Sequence, residues 1–365
     1  MTARGDEPRP SRHAAEAAER VRPQSRAVRH IPHSHTNKTL VRLAPGRSSA
    51  GCSTFWHSQE NSLSPTNQQI EVVANFYDDF VEILRTELAN YGHPAGPSDS
   101  PKQIHRRYLN LLKRLISRTP RSTHTAREFR CPAEHQSAIN DIIYKATRGD
   151  DLNPYLSKSI AKNADFDDLA LNYWGIHHLH LGNALEADRR FIKRTGSLLF
   201  ARITDSDFYL IGIFDHVTDW GDRRILETLH ANWPDSIERF RLHGVRCLDT
   251  LPTSADHLHM QKKHLNLPLQ ISDGTVYMPF GGCIMSSGSS VAVASRASAE
   301  AVYILNLERL AKHNAPLLVA KAWEQGHSIG PTLHLKLIRD ENGNLLARET
   351  NSGVGFKLSI APQSL

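Results

Sequence analysis

Gly196–Asp215 reads GSLLFARITDSDFYLIGIFD. Two apolar runs flank a short polar turn, TDSD. Both runs carry the β-branched and aromatic residues that suit a pleated, half-buried surface. The stretch predicts a β-hairpin. Its neighbours set the fold class.

Upstream, the periodicity is helical. IEVVANFYDDFVEILRTELANYG places Val73, Phe76, Phe80, Leu84 and Leu88 on one helical face, and Gly92 is a natural stop. SPKQ opens a second helix. Ser100 takes the cap, Pro101 the first turn and Gln103 the third position of a capping box. Its apolar stripe is Ile104, Tyr108, Leu111, Leu112 and Leu115. A third helix follows in EHQSAINDIIYKATRG, with Ile139, Ile142, Ile143 and Ala146 inward, and DFDDLALNYWG makes a short fourth.

Downstream, DRRILETLHANWP returns to helix, with Ile225, Leu226, Leu229 and Trp233 on one side and Pro234 as stop. TVYMPFGG then suggests a strand and AEAVYILNLERLAKHNA a helix. TLHLKLIRDENGNLLARET suggests a hairpin turning at Asn342–Gly343, with a last strand in VGFKLSI. The sum is an α+β fold with a helical N-terminal part, a central antiparallel sheet with packed helices, and a mixed C-terminal part with a β-hairpin. Its expected divisions are a basic disordered tail over residues 1–64, a helical region over 65–150, an α+β region over 151–250 and a mixed region over 251–365.

The chain has 365 residues and a formal charge of +6. The first fifty residues hold ten Lys/Arg and four acids, which accounts for the whole excess. The remainder is formally neutral, so a nucleic-acid reading needs a local patch. A flexible basic arm and a start codon set too far upstream are both open for the first 64 residues. Cys52, Cys131, Cys247 and Cys283 are scattered, with no CxxC pair, which suits reduced thiols in a cytoplasm. No run reaches the roughly 18 apolar residues of a membrane span. A soluble cytoplasmic protein without membrane partners is expected.

Imidazoles concentrate in the middle of the chain. Nine of the 21 histidines lie between His177 and His264. NYWGIHHLHLG puts His178 and His180 on one face of a predicted strand, about 7 Å apart. Leu179 and Leu181 take the other face with His177. The leucines mark the core side, so His178 and His180 are expected to face a cleft or solvent. HLHM repeats the pattern at His257 and His259. In the two-histidine phosphoesterases, a Ser or Thr stands where this chain has His180 and His259. The cupin metal motif has spacings to Gly and Glu that are not met here.

The stretch GSLLFARITDSDFYLIGIFDHVTDWGDRRILETL resembles the C-terminal half of RelE/ParE/HigB-type toxins, over about residues 197–229. Those have an LLF-type strand, a polar turn, a second apolar strand, a polar segment and a helix. The resemblance implies a barnase-like nuclease fold, with His216 in the polar segment among the active-site groups. His178 and His180 would come from a neighbouring strand. Histidine suits such chemistry, because its unperturbed pKa near 6.5 makes both forms available at neutral pH.

The leading expectation is a toxin-like or defence-type endoribonuclease. His178, His180 and His216 would do the acid–base work, and Arg194 would hold phosphate. It needs no cofactor, acts on RNA and has a neutralising protein partner. Residues 101–127 hold eight cations and no acid. Arg106, Arg107, Lys113, Arg114 and Arg118 form the expected nucleic-acid patch there, with Arg107, Arg114 and Arg118 sharing a helical face. Two alternatives stay open. One is a metal-dependent hydrolase binding a divalent metal through His178, His180, His257 and His259. The other is a non-enzymatic module binding nucleic acid or protein.

Overall fold

The computed structural model describes residues 40–42, 70–215, 223–245 and 247–358. It is an α+β fold. Apart from residues 40–42, the expected basic tail lies outside the described residues, and so does His216.

The chain enters through β1 (Leu40–Arg42) and β2 (Glu71–Ala74). Helix α1 (Phe76–Asn90) starts later than its apolar periodicity suggests. Val73 belongs to β2 and is 48% exposed, whereas Phe76, Phe80, Leu84 and Leu88 are all buried. Asn75 ends the strand and caps the helix by accepting from the Asp78 N–H. Helix α2 (Pro101–Arg114) carries the full Ser100/Gln103 capping box. It is buried on more than the predicted stripe, with His105, Leu109 and Asn110 inside as well as Ile104 and Leu111. The reason is position, because it packs between α1 and the later helix α7 (Val291–His313).

Next come β3 (Ser122–Thr125), α3 (Gln136–Arg148), α4 (Ser159–Lys162) and a π-helical turn, Ala170–Trp174. The HxH strand is β4 (Ile176–His180), and the quoted hairpin is β5 (Ser197–Ile203) and β6 (Asp207–Asp215). These make a four-stranded sheet in the order β3-β6-β5-β4. The meander is antiparallel, and β3 lies parallel to β6.

Helices α5 (Arg223–Asn232) and α6 (Ser254–Lys262) follow, with a small pair β7 (Leu269–Gln270) and β8 (Val276–Tyr277). The strand expected over TVYMPFGG shrinks to β8. Helix α7 runs 23 residues, starting well before the predicted stretch, and α8 (Ala315–Glu324) was not foreseen. Strands β9 (Thr332–Arg339), β10 (Leu345–Glu349) and β11 (Gly355–Lys357) complete a second sheet, in the order β1-β11-β10-β9-β2.

Both faces of the four-stranded sheet are covered. Leu179, Leu199, Phe208 and Leu210 join a core shared with α1, α2, α3, α7, α8 and β9–β11. Ile176, Leu198, Phe200 and Ile211 face a second core with α5, Tyr277 and Phe280. The divisions near residues 150 and 250 therefore do not separate cores, since one cluster runs from Phe76 to Leu358. Polar bonds make the same links. Glu308 on α7 accepts from the Phe76 N–H at 2.8 Å, and Asp79 accepts from the Leu337 N–H on β9 at 2.8 Å.

Candidate functional site

The strand alternation of β4 is as expected, but what lies over each face is not. His178 and His180 share their face with Ile176, and the second core covers it. His180 is 3% exposed, so it faces neither cleft nor solvent. His178 is half-buried and lines a small cavity with His177, Asp168 and Arg114. Arg194 is exposed in the connection to β5, at the opposite end of β4 from Gly175.

His177, assigned by alternation to the core, holds the more informative position. Strand β4 is an edge strand, and beside its start opens a cleft of about 580 Å³. Its wall includes His177, Lys113, Arg202, Arg239, Arg296 and Phe280. The carboxylates of Asp205 and Asp235 are the acidic groups on the same wall, so cations predominate. Both ring nitrogens of His177 are buried, and neither has a hydrogen-bond partner among the described residues. Buried polar atoms are rarely left this way, and each costs on the order of 1–3 kcal/mol.

Burial holds the His177 pKa down at about 4, against an opposing pull from Asp168. The imidazole is therefore neutral at pH 7. Lys113 is also displaced. Burial lowers its pKa to about 8, while Asp168 and Asp167 pull it upward. Its ammonium donates to Gly281 O at 3.1 Å and Ser290 Oγ at 2.8 Å. Asp168 thus acts on both groups. Lys113 moves toward neutrality, as suits a proton donor there, whereas His177 moves away from it and is a neutral but weaker base. Arg202, lowered to about 10 chiefly by burial, donates from Nη2 to Ser236 O at 3.1 Å. Its Nε is buried without a partner.

Local backbone geometry makes the cleft. Gly175 ends the π-helical turn at φ +67, where a side chain is strained, and an added Cβ would stand 3.1 Å from Arg202 Nη1 and from Phe280 O. At Gly281 an added Cβ would lie 2.3 Å from Asn172 O. The glycine lets the 279–290 loop press against the turn, and the Gly281 N–H donates to Tyr173 O at 2.8 Å. Gly281, which opens GGCIMSSGSS, therefore stands in the cleft wall beside Phe280. Ser290 in that loop caps α7 while accepting from Lys113.

The cations of 101–127 divide by position. Lys113 reaches the cleft. Arg106 donates to Ser289 Oγ at 2.8 Å, and Arg107 is held by Asp99 and Asp165 at 2.7 and 2.8 Å. Arg114 is 4% exposed and donates to Asn163 O at 2.7 Å. Arg118 lies beyond the end of α2 and pairs with Asp151. The shared face expected of Arg107, Arg114 and Arg118 is not formed, because α2 ends at Arg114 and that guanidinium is buried.

The second HxH is helical. His257 and His259 lie on α6, where two residues span about 200°, so they point apart. His257 is buried against the Trp174 ring, with centroids 5.9 Å apart. Among the described residues, no three His, Cys, Asp or Glu side chains gather as a metal would require. No helix there is long and apolar enough to cross a membrane. No protein-family model, curated protein or solved structure matches the chain.

The His177 displacement has a thermodynamic consequence. The unfolded chain takes up a proton near pH 6.5, whereas the folded chain resists until about pH 4. Stability from this group is fully present above pH 6.5 and falls as the pH drops toward 4, by up to about 3 kcal/mol. His177→Gln is expected to flatten that part of the stability profile, as read by urea unfolding from pH 7 to pH 4. An unchanged slope would contradict the placement of His177.

Proposed function

We propose that the protein is an endoribonuclease of toxin-like or defence type, using histidine acid–base chemistry in the cleft beside β4. The observation that carries this reading is the buried, unpartnered His177 imidazole on a wall rich in cations. In the proposed reaction, neutral His177 takes the proton of a ribose 2′-hydroxyl. The freed oxygen attacks the adjacent phosphorus, the bond to the 5′-oxygen breaks, and Lys113 donates a proton to that leaving oxygen. The products are a 2′,3′-cyclic phosphate and a 5′-hydroxyl. Arg202 offsets charge on the non-bridging oxygens, with Arg239 and Arg296 as further cations.

The hairpin β5–β6, a polar segment of sequence and α5 follow one another in the order the toxin resemblance implies over residues 197–229, which supports the class of reaction. Cys131, Cys247 and Cys283 are free thiols, consistent with a cytoplasmic site of action.

The test is substrate discrimination. The full chain is incubated with a single-stranded RNA and with DNA of the same sequence. RNA is expected to be cut to 2′,3′-cyclic ends and DNA to stay intact, because only RNA carries the internal nucleophile. Equal cutting of both strands, or of neither, would overturn the proposal.

A further inference from the structure

At the β3 edge of the four-stranded sheet, three rings stand together. His124 on β3 and Tyr209 on β6 are register partners. Their rings stack with centroids 4.9 Å apart and planes 19° apart. Trp233, just beyond α5, lies 5.0 Å from the Tyr209 ring and 6.4 Å from the His124 ring. All three residues are only partly buried. Trp233 packs against the second core without entering it.

The trio is joined to the cleft. Tyr209 pairs in register with Arg202, and Arg202 with Ile176, so one row of the sheet runs Ile176–Arg202–Tyr209–His124. Arg202, lining the cleft, is two strand spacings from His124, about 10 Å. Around Arg202 the pattern continues. Its guanidinium lies 5.7 Å from the centre of the Phe240 ring, and that of Arg239 lies 4.6 Å from the same ring. Trp233 O accepts from Ser236 Oγ, and Ser236 O accepts from Arg202, which ties the Trp233 segment to the cleft wall. Two acids beside the rings are engaged, Asp207 with His124 at 2.8 Å and Glu128 with Asn232 at 2.9 Å, while Asp205 and Asp235 line the adjoining cleft.

Rings alternating with guanidinium groups are what an unpaired strand requires. Phosphates take the cations, and splayed bases stack on the rings. A duplex hides its base faces and has nothing to offer the rings. We infer that His124, Tyr209 and Trp233 form a base-stacking platform for a single-stranded RNA whose phosphate occupies the Arg202 cleft. This rests on the RNA reading of the cleft and specifies that the substrate is unpaired.

The test uses the full chain and a fluorescein-labelled 2′-O-methyl single strand, which lacks the nucleophilic hydroxyl and stays uncut. Binding is compared with an abasic strand of equal length and with a duplex. The base-bearing strand is expected to bind at least about tenfold tighter than either, in line with stacking energies measured per base. Tyr209→Leu and Trp233→Leu each remove about tenfold of that preference, and Trp233→Phe restores it. Arg202→Gln weakens the base-bearing and abasic strands alike. Thermal unfolding checks that each variant is folded. Equal binding of base-bearing and abasic strands, binding of neither, or a preference that survives both leucine variants would overturn the platform. A platform-dependent preference without RNA cleavage would leave the platform standing and remove the nuclease. Cleavage without base preference would do the reverse.

Discussion

His177→Gln is expected to lower the turnover of RNA cleavage by 10²- to 10⁴-fold while the protein stays folded. General acid–base catalysis by one positioned side chain contributes about that factor. Glutamine keeps a polar side chain of similar length but cannot take up a proton at neutral pH. The loss should therefore fall on kcat, with KM changed much less, since Arg202 and Lys113 still hold the phosphate. Lys113→Gln offers the contrast. It removes a cation as well as the proposed acid, so both parameters suffer. Steady-state kinetics on a short RNA separate the two cases. His180→Gln gives a further contrast, because that ring lies in the second core face and its replacement should lower stability before it lowers kcat.

Phe356→Ala is expected to destabilise the whole protein by about 3–5 kcal/mol, the usual cost of deleting a fully buried aromatic ring. Phe356 sits on β11 with no exposed surface, in the same cluster as Phe76 of α1 and Phe208 of β6. A separate C-terminal region would melt alone and leave the rest intact. A shared core predicts a single transition that moves as one, with α1 and the four-stranded sheet lost together. Urea unfolding followed by far-UV circular dichroism and by tryptophan fluorescence checks this, since the two probes should coincide. An early partial transition confined to the β9–β11 sheet would contradict the shared core.

The elements with strong periodicity were legible from sequence. Phe76, Phe80, Leu84 and Leu88 could only bury together on a helix, and the Ser100/Gln103 box announced its own helix. The central hairpin followed from two apolar runs about TDSD. Short parallel pairing was not legible, because β2 borrows its stability from β9, some 260 residues away, and four residues of EVVA carry no signal of that. Helix α6 was misread for a different reason. The likeness of HLHM to HLHL drew attention to spacing, while Thr253 and Asp256 formed a capping box in plain view.

The candidate site was half legible. The sequence singles out the right strand, but its leucines mark only one of two closed faces. They do mark a core, and so do Ile176, Leu198 and Phe200 opposite. What sets His177 beside the cleft is the edge position of β4 together with a loop pressed close by Gly281, and both are tertiary facts. Lys113 had a usable signal. It stands four residues after Leu109 on the buried side of α2, where an ammonium needs a reason to be. Grouping it with the surface arginines hid that.

One measurement bears most directly on the claim that His177 is a neutral base at an anion-binding cleft. Histidines labelled with ¹³C at Cε1 are titrated by NMR in the full chain, with the His177 signal assigned by its disappearance in His177→Gln. The account predicts a pKa near 4 in the free protein, moving upward when an uncleavable single-stranded RNA analogue places a phosphate beside the ring. A value near the ordinary 6.5 that the analogue leaves unchanged would contradict it.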